Sequence, residues 1–383
     1  MGTLDRYITR QFLTNIALIL LFLSLVIIAV DFSLNFDEFS FSAERVLKAR
    51  GSTVSTLSKG VLAIWLVVDL WWPRMFLLFN FLLGPVLVGA MGFTCASMVK
   101  HRELVALLAS GVSLKRVARP ILIVTLCMVG LMVANREWAL PRLAPLLTRD
   151  KSDAGSPTQG TFHDVSVDAQ QRIIYSRRVH LGTGSIDGLY AYERDAQGLM
   201  TNRISADVAV WQGDRWALQN GVSLRRRALD NAGPGARILP VPVATLATDV
   251  DPTALQLRRF EGMAANLSTP QVSGLITRFR AQEQTPAVQR RIAGLERNRW
   301  GRTAGAASIL LTVILCLPFF LRREPANMLR QSLKAAPIAL GAFAGVLVGT
   351  TAAMPGLPAQ VGVFIPVLML IPGAIIASGT IRS

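Results

Sequence analysis

The sequence predicts a polytopic α-helical membrane protein with six transmembrane helices and an inserted all-β domain of sandwich or jelly-roll type. Three observations carry that expectation. The 383 residues are 51% hydrophobic and only 17% charged, with a mean hydropathy of +0.42. The apolar residues collect into blocks of roughly 20, the length that crosses a bilayer core. Between the third and fourth blocks the texture changes to short runs rich in Val, Ile, Tyr and Trp, separated by turn residues.

The first span covers 12–33 and follows Arg6 and Arg10. It is longer than a signal-peptide core and runs into "VDFSLNFDEF" with no small-x-small cleavage pattern, so it reads as a retained helix. The second span covers 74–99. More apolar sequence precedes it, "GVLAIWLVVDLWWPR", but Asp69 and Arg74 interrupt that stretch, and Trp65, Trp71 and Trp72 look like an interfacial belt. Residues 42–72 are therefore expected to form an interfacial, partly amphipathic segment. The remaining spans cover 117–138, 303–321, 335–354 and 360–380. With six crossings, Arg6, Arg10, the loop 100–119, "RREPANMLRQSLK" and Arg382 all share the cytoplasmic side. The segment 140–300 then lies outside, since long domains translocate largely regardless of charge.

Within that segment "RIIYSRRVHL", "IDGLYAYERD", "ADVAVWQGDRWALQNGVSLRRRAL" and "ARILPVPVATLATD" read as strands, with "GTGS", "DAQG", "QGDR" and "DNAGPG" as turns. Past "DPTAL" the pattern becomes helical: "STPQVSGLITRFRAQ" opens on a Ser/Thr cap and leads toward the fourth span. The chain thus divides into 1–140 with three spans and a cytoplasmic helix at about 100–113, 141–300 with the β domain and a helical return, and 301–383 with three spans.

Several function classes are excluded. The net charge of +16 is that of a membrane protein anchored on its cytoplasmic side and touching anionic lipid; no nucleic-acid-binding pattern accompanies it. Cys95, Cys127 and Cys316 lie inside apolar runs and read as small hydrophobes, and the three histidines are too scattered to hold a metal. The sequence contains no G-x-x-x-x-G-K-[ST], H-E-x-x-H or G-x-S-x-G motif, so ATP binding and hydrolytic chemistry find no signature; "GTGSIDG" sits between strands as a hairpin turn. No cofactor is expected on this chain.

Three features point to function. In "KHRELVALLASGVSLKR" the residues Glu103, Leu104, Leu107 and Leu108 recur at helical spacing, Gly111 stops the helix, and Ser113 caps the next. A short helix across the cytoplasmic mouth of two spans suits docking to a soluble motor, with Glu103 as a directional charge. An interfacial loop held by lipid headgroups fits the same residues. Gly341, Gly345 and Gly349 in the fifth span give a face without side chains, for another protein's helix or for a neighbouring span. Arg142, Arg149 and Lys151 lie just past the third span, where they would meet lipid phosphates or merely snorkel.

These residues bring a family into view. The chain resembles the permease subunits of the lipopolysaccharide export ABC transporter, LptF and LptG. "LDRYITRQF" and "REWALP" are similar to the G-type subunit, and "RELVALLASGVS" is similar to the family's coupling-helix signature. "IIYSRRV" and "IDGLYAYERD" match its β segment in character and position. The resemblance covers nearly the whole chain. It implies a half-transporter in a bacterial inner membrane, with cytoplasmic termini and a periplasmic β-jellyroll. It also implies a second homologous permease, as heterodimer or homodimer, and a cytoplasmic ABC ATPase dimer that holds the ATP and Mg²⁺. Lipopolysaccharide, or a related glycolipid, would pass to periplasmic β-jellyroll bridge proteins. Under the resemblance Glu103 falls on the acid that contacts the ATPase, Arg149 and Lys151 fall near residues facing lipid phosphates, and Gly341, Gly345 and Gly349 fall on the lateral-gate helix. One stretch departs from the pattern. "VIIAVDFSLNFDEF" is acidic where the G-type has lysines, and Asp31, Asp37 and Glu38 would repel phosphates unless a cation bridges them. Two rival readings are a membrane-anchored envelope scaffold and an intramembrane lipid enzyme; for the latter the spans offer little beyond Asn80 and Asp69.

Overall fold

The computed structural model describes residues 2–49, 56–147, 161–168, 170–180, 183–194, 199–225, 240–248, 250–252, 255, 264–280, 286–321, 328–352 and 357–380. Two compact units result, one helical (Met1–Gly155 with Ala264–Ser383) and one of strands (Ser156–Met263).

The helical unit consists of α1 (Thr3–Leu34), α2 (Phe36–Ala49), α3 (Thr56–Lys100), α4 (Glu103–Ala109), α5 (Leu114–Ala134), a π turn (Asn135–Ala139), α6 (Leu140–Leu147), α7 (Thr269–Arg280), α8 (Pro286–Phe320), α9 (Met328–Thr351) and α10 (Ala359–Thr380). Among the described residues six helical stretches are long and apolar enough to cross a membrane: Thr3–Leu34, Ser58–Lys100, Leu114–Ala144, Val288–Phe320, Arg330–Thr351 and Ala359–Gly379. Their common core joins Phe12 and Ile16 of α1, Leu83, Leu87 and Met91 of α3, Ile121 of α5, and Val313 and Phe320 of α8. Outward, Leu18, Leu21, Phe22 and Leu25 of α1 are more than half exposed, as lipid-facing side chains are. At Gly84 of α3 the missing side chain admits the ring of Phe343 from α9; a Cβ there would stand 2.2 Å from Phe343 Cε1.

Residues 56–72 depart from expectation. They form no separate element but continue into the second span as one 45-residue helix. At 1.5 Å per residue α3 is roughly 67 Å long, more than twice a ~30 Å hydrocarbon core. Asp69 and Arg74 do not interrupt it, because surface charges do not end a helix; Arg74 lies 5.8 Å over the Trp71 ring. The extension of α3 folds back against α2. Phe39 and Ala43 pack on Ala63, Leu66, Val67 and Leu70 in a small closed core, with Ile27, Ile28 and Phe32 of α1 alongside.

The second unit is an antiparallel sheet of β1 (Thr161–Val167), β2 (Ile173–His180), β3 (Ser185–Arg194), β4 (Met200–Trp211), β5 (Arg215–Gln219), β6 (Val222–Arg225), β7 (Val241–Pro242) and β8 (Thr245–Ala247). It is the expected β domain, and neighbouring strands join as a meander. Pairs Val208↔Gln219 and Ser205↔Val222 keep one register, so β5 and β6 are two halves of one strand against β4. The break between them falls at Asn220, φ +56°, and at Gly221, where a Cβ would meet Val243 O at 2.1 Å. Ile174, Leu189, Ala191, Ile204 and Trp216 form the core, and the Trp216 indole donates to Val250 O at 2.8 Å.

Candidate functional site

The turn between α3 and α5 is built first from backbone geometry. Arg102 adopts the left-handed region, φ +57°, and its amide bonds Val99 O at 3.0 Å, which ends α3 and lets Glu103 open α4. An acid at that position suits the positive end of the helix. At the other end the amide of Gly111 donates to Leu108 O and that of Val112 to Leu107 O, both at 3.1 Å. This paired pattern is a Schellman cap, which needs the left-handed residue that Gly111 supplies at φ +81°. Ser113, with extended backbone, then leads into α5.

The side chains of α4 divide between two faces. Leu104 is 3% exposed, and Leu107, Leu108 and Val112 pack half-buried on the same helical core. The apolar face is turned onto the chain's own spans, because a helix of seven residues holds only when that face is covered. Facing outward are Val105, Ala106, Ala109 and Ser110. Beside them an open pocket of about 550 Å³ is lined by Val105, Leu108, Ala109, Val112 and Leu114. Glu103 is gripped from α1, where the Tyr7 hydroxyl donates to its two carboxylate oxygens at 2.9 and 3.0 Å. The five residues singled out here, Glu103, Leu104, Leu107, Leu108 and Gly111, do share one turn, but Tyr7 is 96 residues away in sequence and gave no local signal.

At the far end of α5 stands a polar cluster that sequence reasoning missed. Ser268 and Gln271 form a capping box at the start of α7, with Ser268 N–H to Gln271 Oε1 at 2.9 Å and Gln271 N–H to Ser268 Oγ at 3.4 Å. The next free amide, Thr269 N–H, donates to Glu137 Oε2 at 2.8 Å, and the Thr269 hydroxyl donates to Glu137 Oε1 at 2.5 Å. Arg302 of α8, 7% exposed, reaches the same Oε1 at 3.4 Å and Asn298 Oδ1 at 3.2 Å. One carboxylate therefore ties the π turn to α7 and α8. Glu137 at the edge of an apolar run was the available signal, since ionisable groups at membrane depth are retained only with partners.

The other expected groups are scattered. Arg142 is exposed on α6, while Arg149 and Lys151 lie outside the described residues. On α9, Gly345 and Gly349 close against α10, where Cβ atoms would meet Pro366 at 3.3 Å, so these two serve packing within the chain. Around Gly341, among the described residues, nothing stands within 4 Å of the place a Cβ would occupy. Asp31 accepts from the Trp71 indole at 3.0 Å and from the Asn35 amide at 2.9 Å, which ties the end of α1 to α3.

No curated protein matches the chain. A family model does, that of the lipopolysaccharide export system permease LptF/LptG, over residues 53–379. With six apolar helices among the described residues, an antiparallel domain inserted in sequence between the third and fourth, and a match over most of its length, the chain belongs to the LptF/LptG family of lipopolysaccharide export permeases.

Proposed function

We propose that this chain is a non-catalytic membrane subunit of an ABC-type exporter. It would draw lipopolysaccharide or a related glycolipid from the bacterial inner membrane with a second homologous permease. A separate cytoplasmic ATPase dimer, carrying ATP and Mg²⁺, docks on the turn between α3 and α5. The termini are then cytoplasmic, and the β domain is periplasmic and passes lipid to β-jellyroll bridge proteins. Work of this kind needs a motor: each acyl CH₂ drawn into water costs about 0.8 kcal/mol.

The observation that supports this reading most is the rigid turn itself. A Schellman cap at one end and the Tyr7–Glu103 contact at the other hold a short helix beside an open apolar pocket of about 550 Å³. Force applied at such a helix moves α1, α3 and α5 together. In this reading Glu103, Val105 and the pocket meet the ATPase, whereas Leu104 serves only to seat α4. Arg142, with Arg149 and Lys151, would face lipid phosphates, and the open side of α9 at Gly341 would meet the second permease.

The test is co-purification of the tagged chain in mild detergent. An ABC ATPase and a second six-helix permease should come with it, and E103A should weaken ATPase retention more than Y7F does. Equal retention by E103A and wild type would remove Glu103 from the docking surface. Envelope proteins arriving without any ATPase, even after crosslinking at position 103, would favour a scaffold instead.

A further inference from the structure

The extension of α3 presents one helical face that the coupling turn and the polar cluster leave unused. Val61, Ile64, Trp65, Val68 and Trp72 follow the i, i+3, i+4, i+7, i+11 spacing of a single stripe and are 70, 60, 66, 51 and 43% exposed. Together they present apolar surface on the order of 500 Å², as large as the largest patches on soluble monomers. The opposite face of the same helix is closed by Phe39 and Ala43 of α2. Phe76, Leu77 and Phe81 of the span below are lipid-facing as well.

We infer that the α2–α3 hairpin is an interfacial anchor whose stripe from Val61 to Trp72 lies in the acyl region of the outer leaflet. The side of the membrane rests on the orientation given under Proposed function; the burial of the stripe in lipid does not. Three features favour lipid over a protein partner. The stripe itself is purely aliphatic and aromatic; on α3 only the half-buried Asp69 borders it with a charge, short of the polar rim that frames a protein interface. Two of its five side chains are tryptophans, which settle where hydrocarbon meets headgroups. And its polar tethers sit elsewhere: Lys59 and Lys48 each hold Glu44 at 2.8 Å, and Trp71 holds Asp31 at 3.0 Å. An α3 continuing straight out of the bilayer would leave the whole stripe in water. A hairpin leaning into the leaflet covers it and fixes the outer ends of α1 and α3 at one depth.

Spin labels at positions 64, 68, 81 and 48 in a cysteine-free full-length chain, in phosphatidylethanolamine–phosphatidylglycerol nanodiscs, test this. Power saturation should show labels 64 and 68 relaxed several-fold more by oxygen than by a water-soluble nickel chelate, as at 81, with the opposite at 48. If 64 and 68 behave like 48, the hairpin stands in water and the inference is overturned. If both reagents are excluded there, protein covers the stripe and it is equally overturned. Should cysteine removal unfold the chain, the natural indoles serve instead. Quenching by brominated-tail lipids must then fall in W65F/W72F, and an unchanged quenched fraction counts against the anchor. An impermeant maleimide on K48C in intact cells reads the side separately; labelling that appears only after the cells are broken would overturn the orientation and leave the depth result standing.

Discussion

Removing Glu137 should be the costliest single change at the junction of α5, α7 and α8. E137A deletes the acceptor of Thr269 N–H at 2.8 Å and of the Thr269 hydroxyl, and takes from Arg302, 7% exposed, a carboxylate at 3.4 Å. A charge-assisted bond is worth about 1.5–3 kcal/mol, and breaking a fully buried ion pair costs about 3–5. Glu137 is 24% exposed, so the pair's share must be discounted for solvent, and about 2–4 kcal/mol in total is expected. R302A leaves Glu137 its two Thr269 donors and should cost only about 1–2 kcal/mol. The double variant should cost less than the sum by about 1–3 kcal/mol, the coupling of groups in contact. Heating of the detergent-purified chain, followed by intrinsic fluorescence, gives apparent midpoints at a fixed scan rate. At roughly 2 °C per kcal/mol for a unit of this size, E137A should melt about 4–8 °C early. An R302A midpoint below that of E137A, or strictly additive losses, would refute a shared cluster centred on the carboxylate.

Other outcomes follow from single contacts. G84A pushes a Cβ to 2.2 Å from the Phe343 ring and should lower the same midpoint through a loss of about 1–3 kcal/mol, partly recovered by F343L. G111A meets no described neighbour within 4 Å, so only the left-handed backbone at φ +81° resists it. A cost of about 1–2 kcal/mol, seen as faster amide exchange at 110–112 and poorer ATPase retention, is expected. Glu44, held by Lys48 and then Lys59, has its carboxyl lowered from 4.5 to about 2. A depressed carboxyl stabilises above its unfolded value, so that contribution is whole at neutral pH and lost as pH falls from 4.5 toward 2. Hydrogen-exchange protection in α2, taken relative to the intrinsic rate at each pH, should fall across that window in wild type and show no such step in E44Q.

The parts legible in the sequence were those written in local order. Hydropathy marked all six spans, because roughly 20 consecutive apolar residues leave a bilayer few alternatives. "ASGVS" marked the end of α4, because glycine is nearly alone in tolerating the left-handed position. The strands showed through Val, Ile and Trp spacing, although the one-register partnership of β5 and β6 with β4 depends on Gly221, which no local pattern explains. What stayed hidden depends on long-range neighbours. Glu137 and Arg302 are 165 residues apart and each resembles an ordinary charge at a helix end. Whether the glycines of α9 face a partner or α10 is decided by Pro366, which sequence places on another helix without a direction. The continuity of α3 stayed hidden for a related reason. Asp69 and Arg74 suggested a boundary, but a charge on a helix surface interrupts hydropathy and not hydrogen bonding.

The π turn at Asn135–Ala139 has a consequence for how the third span tolerates changes in length. Such a turn holds one residue more than an α turn while the helix on either side keeps its rotational phase. Removing Trp138, which is 70% exposed, would close the wide turn into an ordinary one and leave α5 and α6 pointing as before. The same deletion three turns earlier, at Cys127, has no slack to absorb it. It would swing everything downstream by about 100° and turn Val129 and Met132 from the core toward lipid. This one helix thus contains a single place where its length can change by a residue without moving its neighbours.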